Sequence, residues 1–250
     1  VRSTVASAPA TTRGGSAVSA SERWSAGVAD ADQPGSGETT LQSVQEAQRR
    51  CTRCVDAGYL ATSNPVFSGH VGQRILLVGQ APGPVENDST RPFAGRAGRQ
   101  LMRWFERGGF AGEADVRRRV YMTSMTTCFP GRTVDGRGDR RPSSREVALC
   151  SGWLDTILGL LAPRLVMPIG SLALARFLPG RRLDDVVGRL FDASGAVVEA
   201  PGVVPVVLPL LLPLPHPSGQ SRWLNDPARV RQLDSALSRL APLIGWSESG

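Results

Sequence analysis

At 250 residues with 41% hydrophobic side chains, the chain is long enough for one folded domain and a tail. A membrane helix is excluded, because no stretch of about 18 apolar residues runs unbroken and the most apolar one, 203–214, carries Pro205, Pro209 and Pro213. The formal net charge of +7 comes entirely from arginine, which suits a polyanion such as DNA and excludes any lyase chemistry through a lysine Schiff base.

Residues 1–45 are rich in Ser, Ala, Gly and Thr without an apolar period and read as a disordered tail. They hold three arginines and four acids, so the positive charge belongs to the remainder. They lack the compact apolar segment of a secretory signal. The folded domain is expected over 46–245, with a short disordered end at 246–250. Segment 74–80 (RILLVGQ) reads as a buried strand followed by a Gly/Pro loop. Segment 95–108 reads as a helix with Leu101, Trp104 and Phe105 on one face. A second strand is expected over 120–125, then a helix over 144–161 capped by Ser143 or Ser144. A third strand (164–170) leads into a short helix (171–178). A proline-marked fourth strand spans 205–214, and an amphipathic helix with Pro227 near its first position spans 227–244. This alternation predicts an α/β fold of three layers, with a central four-stranded, mainly parallel sheet covered on both faces. Ligands of such folds bind beyond the carboxyl ends of the strands, here 79–83, 124–130, 170–171 and 214–218.

Four cysteines are present: Cys51 and Cys54 in a C-x-x-C pair, Cys128 and Cys150. They suffice for one four-thiolate site, filled by zinc or by a [4Fe–4S] cluster; unrelated buried thiols are the plain alternative, and a redox C-x-x-C has no thioredoxin-type unit around it. The loop after the first strand is neither a dinucleotide fingerprint nor a Walker A loop. It places Pro82, Gly83, Glu86 and Phe93 where a ligand belongs. Glu86 is read as a solvated loop charge or a site carboxylate, and Phe93 as a core plug or a stacking face. His216, held between Pro215 and Pro217, is a loop-fixing residue or a rigid donor to a developing oxyanion. His70 reads as surface.

Three separated blocks agree: GQAPG with Glu86 and RPFAGRAG; VYMTSMTTC with C-x-x-C upstream; and LPLPHPS. Together, over about 51–243, they resemble the uracil-DNA glycosylase superfamily, most closely its iron–sulfur branch (family 4). The resemblance implies that Cys51, Cys54, Cys128 and Cys150 hold a structural [4Fe–4S] cluster. Phe93 would stack on a flipped base, with Pro82 and Gly83 alongside. His216 would donate to uracil O2. The loop from Ser218 through Gln220 and Arg222 to Trp223 would enter the minor groove, and Arg91, Arg96, Arg99 and the 132–145 loop would grip the backbone. The implied partner is DNA containing deaminated bases, met by a monomer in the cytoplasm near the nucleoid.

Two positions depart from the family pattern. Gln80 stands where the family carries Glu, leaving Glu86 to supply negative charge. Ser124 stands where the family carries an Asn that reads the base edge with both amide groups; one hydroxyl cannot reproduce a bidentate contact. The expected chemistry is monofunctional hydrolysis of the N-glycosidic bond, with His216, Glu86 and Gln80 as the catalytic set. The chain carries no histidine between His70 and His216, so covalent capture by an inserted-loop histidine is not expected. The alternatives are a damage-binding protein of the same fold without catalysis, and a zinc-stapled nucleotide-binding or redox domain.

Overall fold

The computed structural model describes residues 40–201, 206–218 and 222–249. Gln220 and the side chain of Arg222 lie outside them, as does most of the 1–45 tail. Within the tail's expected range, however, residues 41–45 belong to helix α1 (Leu41–Arg49), capped by Thr40. The fold therefore begins by Leu41 rather than residue 46. Helix α2 (Arg53–Asp56) follows.

Strands β1 (Ile75–Gly79), β2 (Val120–Ser124) and β3 (Leu165–Pro168) are buried throughout, as expected of parallel strands covered on both faces. With β6 (Leu210–Leu211) they form the parallel part of the sheet, in the order β2-β1-β3-β6. Among the described residues the sheet has six strands rather than four. A hairpin of two-residue strands, β4 (Leu190–Phe191) and β5 (Val197–Val198), adds antiparallel to β6. Its turn is held by Asp192 Oδ1, which accepts from Ser194 N and Ala196 N. The ladder at β6 is also shorter than 205–214, although Leu214 still bridges Ile169.

Alternation along the strands sorts side chains between two cores. Ile75, Leu77, Met122, Met167 and Leu210 face Leu101, Trp104 and Phe105 of α4 (Arg96–Arg107), together with Leu233 and Leu237 of α9 (Pro227–Ser238). Leu76, Val78, Tyr121, Val166 and Leu211 face Leu41 and Val44 of α1, Ile157 and Leu161 of α6 (Ser144–Leu161), and Leu174 of α7 (Gly170–Phe177). This is the three-layer arrangement. Ser143 caps α6, and Glu146 returns its carboxylate to the Ser143 backbone, a capping box.

The C-terminal helix is two helices, α9 and α10 (Leu240–Glu248). Pro242 has no N–H to offer the carbonyl of Ser238, and its ring would clash there. Helix α10 runs to Glu248, so most of the expected disordered end is helical. Among the described residues, three further short helices besides α1 and α2 were not expected: α3 (Pro84–Ser89), α5 (Glu113–Arg119) and α8 (Leu183–Val186). A 3₁₀ turn (Arg222–Asn225) precedes α9. Among the described residues no helix is long and apolar enough to cross a membrane.

Candidate functional site

The carboxyl ends of β1 and β2 lie side by side, Gly79 opposite Ser124. A Cβ built on Gly79 would meet the Phe93 ring at 3.1 Å and Ser124 Oγ at 3.2 Å. Glycine is thus what lets the ring lie across the end of β1 beside the serine. Phe93 is half-buried and has φ of 55°, a left-handed conformation that costs an aromatic residue about 1–3 kcal/mol. The surrounding packing holds it there: a Cβ on Gly98 would come 1.8 Å from the Phe93 carbonyl oxygen, so α4 approaches this turn only because position 98 has no side chain.

Glu86, in α3, fixes the rest of the loop. Its Oε2 accepts from Gly83 N at 3.1 Å and its Oε1 from Gly95 N at 2.8 Å. Both oxygens are therefore engaged with backbone amides, and the carboxylate acts first as a clamp that shapes the loop between Pro82 and Phe93. Gln80 is half-buried; its backbone carbonyl accepts from Thr126 N at 3.3 Å. Pro82 is buried beside it.

His216 follows β6, across the end of β3. Its ring packs near Gly170, whose φ of 78° calls for glycine. Ser218 backbone N–H donates to His216 Nδ1 at 3.3 Å, and Ser218 Oγ lies 2.9 Å from the same nitrogen. Nδ1 is therefore an acceptor, and the neutral ring carries its proton on Nε2. Burial pushes the pKa of His216 below its ordinary value, against the opposing pull of the Glu86 charge. At neutral pH the ring is an uncharged Nε2–H donor. The 3₁₀ turn beyond it is pinned by Trp223 Nε1, which donates to Asp184 Oδ1 at 2.6 Å.

Of the proposed DNA contacts, Arg91 is half-exposed but paired with Glu113 at 2.6 Å, Arg96 is exposed in the first turn of α4, and Ser218 holds His216. The 132–145 loop is a hairpin bridged at Arg132 and Asp139. Sequence reasoning did not anticipate that Asp139 reaches the site: its Oδ2 lies 3.2 Å from a Cβ built on Gly83. No local pattern marks it, because the hairpin alone brings it there.

Cys51, Cys54, Cys128 and Cys150 line one cavity, together with Ser63, Thr126, Thr127 and Glu146. None is in a disulfide. Trp153 Nε1 donates to Cys51 Sγ at 3.3 Å, Ser63 Oγ lies 3.6 Å from Cys128 Sγ, and Thr127 Oγ1 lies 3.7 Å from Cys150 Sγ. Burial raises the thiols of Cys128 and Cys150, and pushes Cys54 up to about 11. A bound cation would offset that penalty and favour the thiolates. The arginine that lines the cavity, Arg53, is stacked on Trp153, 4.9 Å from the ring centre. Four half-buried thiols, one taking a hydrogen bond from an indole N–H and two within reach of hydroxyls, fit a thiolate-held metal centre. Among the described residues no three His, Cys, Asp or Glu side chains converge on one ion. Thiolates around a lone zinc would sit about 3.8 Å apart, given Zn–S bonds of about 2.3 Å.

Comparisons with known proteins point to one family. The model of the family described as "Uracil DNA glycosylase superfamily" matches residues 67–241. The chain is 31% identical over 165 residues to the Type-4 uracil-DNA glycosylase of Pyrobaculum aerophilum, covering 64% of this chain and 78% of that protein. It is 29% identical over 147 residues to the Type-4 uracil-DNA glycosylase of Thermotoga maritima, covering 58% and 70%. Similarity to the Type-4 uracil-DNA glycosylase of Sulfurisphaera tokodaii is 27% over 132 residues, covering 52% and 54%.

Proposed function

The chain belongs to the uracil DNA glycosylase superfamily, and on that footing we propose that it is a monofunctional DNA glycosylase of base-excision repair, acting as a monomer on uracil or a related deaminated base. What supports this reading is that Phe93 lies across the end of β1 while His216, held as a neutral Nε2–H donor, follows β6 at the same end of the parallel strands. Strands β1 and β6 are separated by β3 alone, so the two loops that follow them are near neighbours along the sheet.

The target base leaves the stack at a cost of a few kcal/mol and lies against Phe93. The bond from sugar C1′ to base N1 breaks with its electron pair on the base. His216 Nε2–H donates to the base O2, where that charge gathers. Water supplies hydroxide to C1′ and a proton to the departing base. Glu86 holds Gly83 and Gly95 in place and sets a negative charge near the cationic sugar; Gln80 orients water or base through its amide. Ser124 offers one hydrogen bond to the base edge, so selectivity is expected to be broader than for a site that grips uracil with an amide. Cys51, Cys54, Cys128 and Cys150 would hold a [4Fe–4S] cluster. The four thiols lining one cavity support that reading, with zinc as the alternative. When bound, the cluster supplies charge compensation for the thiolates and a cross-link between segments.

The test is release of free base from single- and double-stranded oligonucleotides carrying uracil, hypoxanthine or xanthine, using iron-replete protein. Excision of at least one base is expected. Tight lesion binding without release from any substrate would instead establish the damage-binding reading, which Gln80 and Ser124 favour.

A further inference from the structure

We propose that the Thr126 hydroxyl is a further contact of the cysteine site, donating a hydrogen bond to a sulfur of the iron–sulfur group and so setting its reduction potential and lifetime. The proposal rests on the cofactor reading above, and not on glycosylase activity.

Thr126 lies just beyond β2, is only 5% exposed, and lines the same cavity as the four cysteines. Its Oγ1 is buried and has no protein partner. A hydroxyl left unpaired in the interior costs about 1–3 kcal/mol, and valine would fill the same volume without that cost. The other polar groups of this wall already indicate their use. Ser63, Thr127 and Trp153 each reach the sulfur of a cysteine: Cys128, Cys150 and Cys51. Among the described residues Cys54 receives no such donor, and the inorganic sulfides of a cluster are further acceptors. A threonine hydroxyl has one proton to give; the Glu146 carboxylate on the same wall is already bound by Arg140 and Ser143, which leaves sulfur as the main acceptor for it.

The backbone of this segment is anchored. Thr126 N–H donates to the Gln80 carbonyl at 3.3 Å, and Met125 N–H to the Gly79 carbonyl at 3.0 Å. The segment that carries the hydroxyl is thereby bonded to the loop that forms the base slot. Hydrogen bonds to cluster or cysteine sulfur disperse negative charge, favour the reduced state and raise the potential.

The experiment compares wild-type, Thr126→Val and Thr126→Ser proteins, each purified with its metal. It reads iron and zinc content, the potential of the cluster by spectroelectrochemical titration, and the rate of iron release to a chelator from the loss of visible charge-transfer absorbance. Thr126→Val is expected to lower the potential and speed iron release roughly fivefold, as for one lost hydrogen bond. Thr126→Ser, which keeps the hydroxyl, should stay close to wild type. Should Thr126→Val fail to fold, Thr126→Ala is measured in its place. A potential and release rate unchanged in the variant lacking the hydroxyl would overturn the proposal, as would stoichiometric zinc without iron in the wild type. Failure of base excision in the oligonucleotide assay bears on none of these readouts.

Discussion

Two side chains of the candidate site are held in opposite ways. His216 is an uncharged donor because Ser218 N–H occupies its Nδ1 and burial disfavours the charged ring. Replacing it by alanine removes one oxyanion donor, a loss of about 2.7–4 kcal/mol. His216→Ala should therefore slow single-turnover excision by about 10²- to 10³-fold while lesion binding is kept; an unchanged rate would remove the imidazole from the reaction. The sign of the pH effect follows from the same contacts. The folded ring resists protonation that the unfolded ring accepts at about 6.5, so excision should hold level as pH falls through that value and decline only below it. A decline centred at or above 6.5 would contradict a buried neutral donor. Glu86 is different, since both its oxygens are held by backbone N–H groups. In Glu86→Gln an amide NH₂ must face one of those donors, at a cost of about 1–3 kcal/mol. The denaturation midpoint should drop, and amide exchange at Gly83 or Gly95 should quicken; unchanged exchange at both would show that the clamp does not form.

At the scale of elements, α6 deserves its cap because it carries Cys150. Arg140 donates two 2.7 Å bonds to the Glu146 carboxylate, whose side chain is 3% exposed. That fork, aided by Ser143, holds the Glu146 pKa at about 2. A carboxylate lowered from 4.5 on folding stabilises the protein above pH 4.5 and loses that contribution as pH falls toward 2. The ceiling is about 3 kcal/mol at 1.36 kcal/mol per unit, and is lower in practice because Arg140 is partly in water. The melting temperature of wild type minus that of Glu146→Gln should shrink over this range; parallel curves would contradict the linkage. The same elements explain what could be read in the sequence. Helix α6 was legible because Ser143 and Glu146 spell a capping box ahead of a long apolar period. Helix α1 was not, since half of its inward face is glutamine: Gln45 bonds Gly69 O and Tyr121 Oη, a use of polar residues that only the folded partner reveals. Helix α5 has one buried apolar residue, Val116, and is laced by Asp115–Arg119 and Glu113–Arg117 pairs. The β4–β5 strands are too short to alternate. At the candidate site, the motifs that carry the family resemblance pointed to Phe93 and His216. It could not locate Asp139 or Thr126, which reach their cavities through a hairpin and a strand end.

For the whole molecule, composition and connectivity set two further limits. With no lysine in the chain, no side-chain amine can form an imine with the abasic sugar. The product should be an intact abasic strand, and borohydride should trap no protein–DNA adduct; a trapped adduct would refute the monofunctional assignment. The cysteines determine how the fold is tied together. Cys51 and Cys54 lie at the junction of α1 and α2, Cys128 lies beyond β2, and Cys150 lies within α6. A centre bound by all four joins the N-terminal helices to the sheet and to the opposing helix, so binding free energy becomes folding free energy. With the group at an effective concentration a thousandfold above its dissociation constant, that contribution is about 4 kcal/mol, or about 10 °C for a domain of this size. Removing iron should lower the melting temperature by that order. Exchange protection should be lost first in Leu41–Arg49 and Arg53–Asp56, because β1, β2 and β3 keep their ladders and both cores without the metal. Uniform loss of protection across sheet and helices would show instead that the centre is integral to the whole core and does not act as a staple for the N-terminal arm.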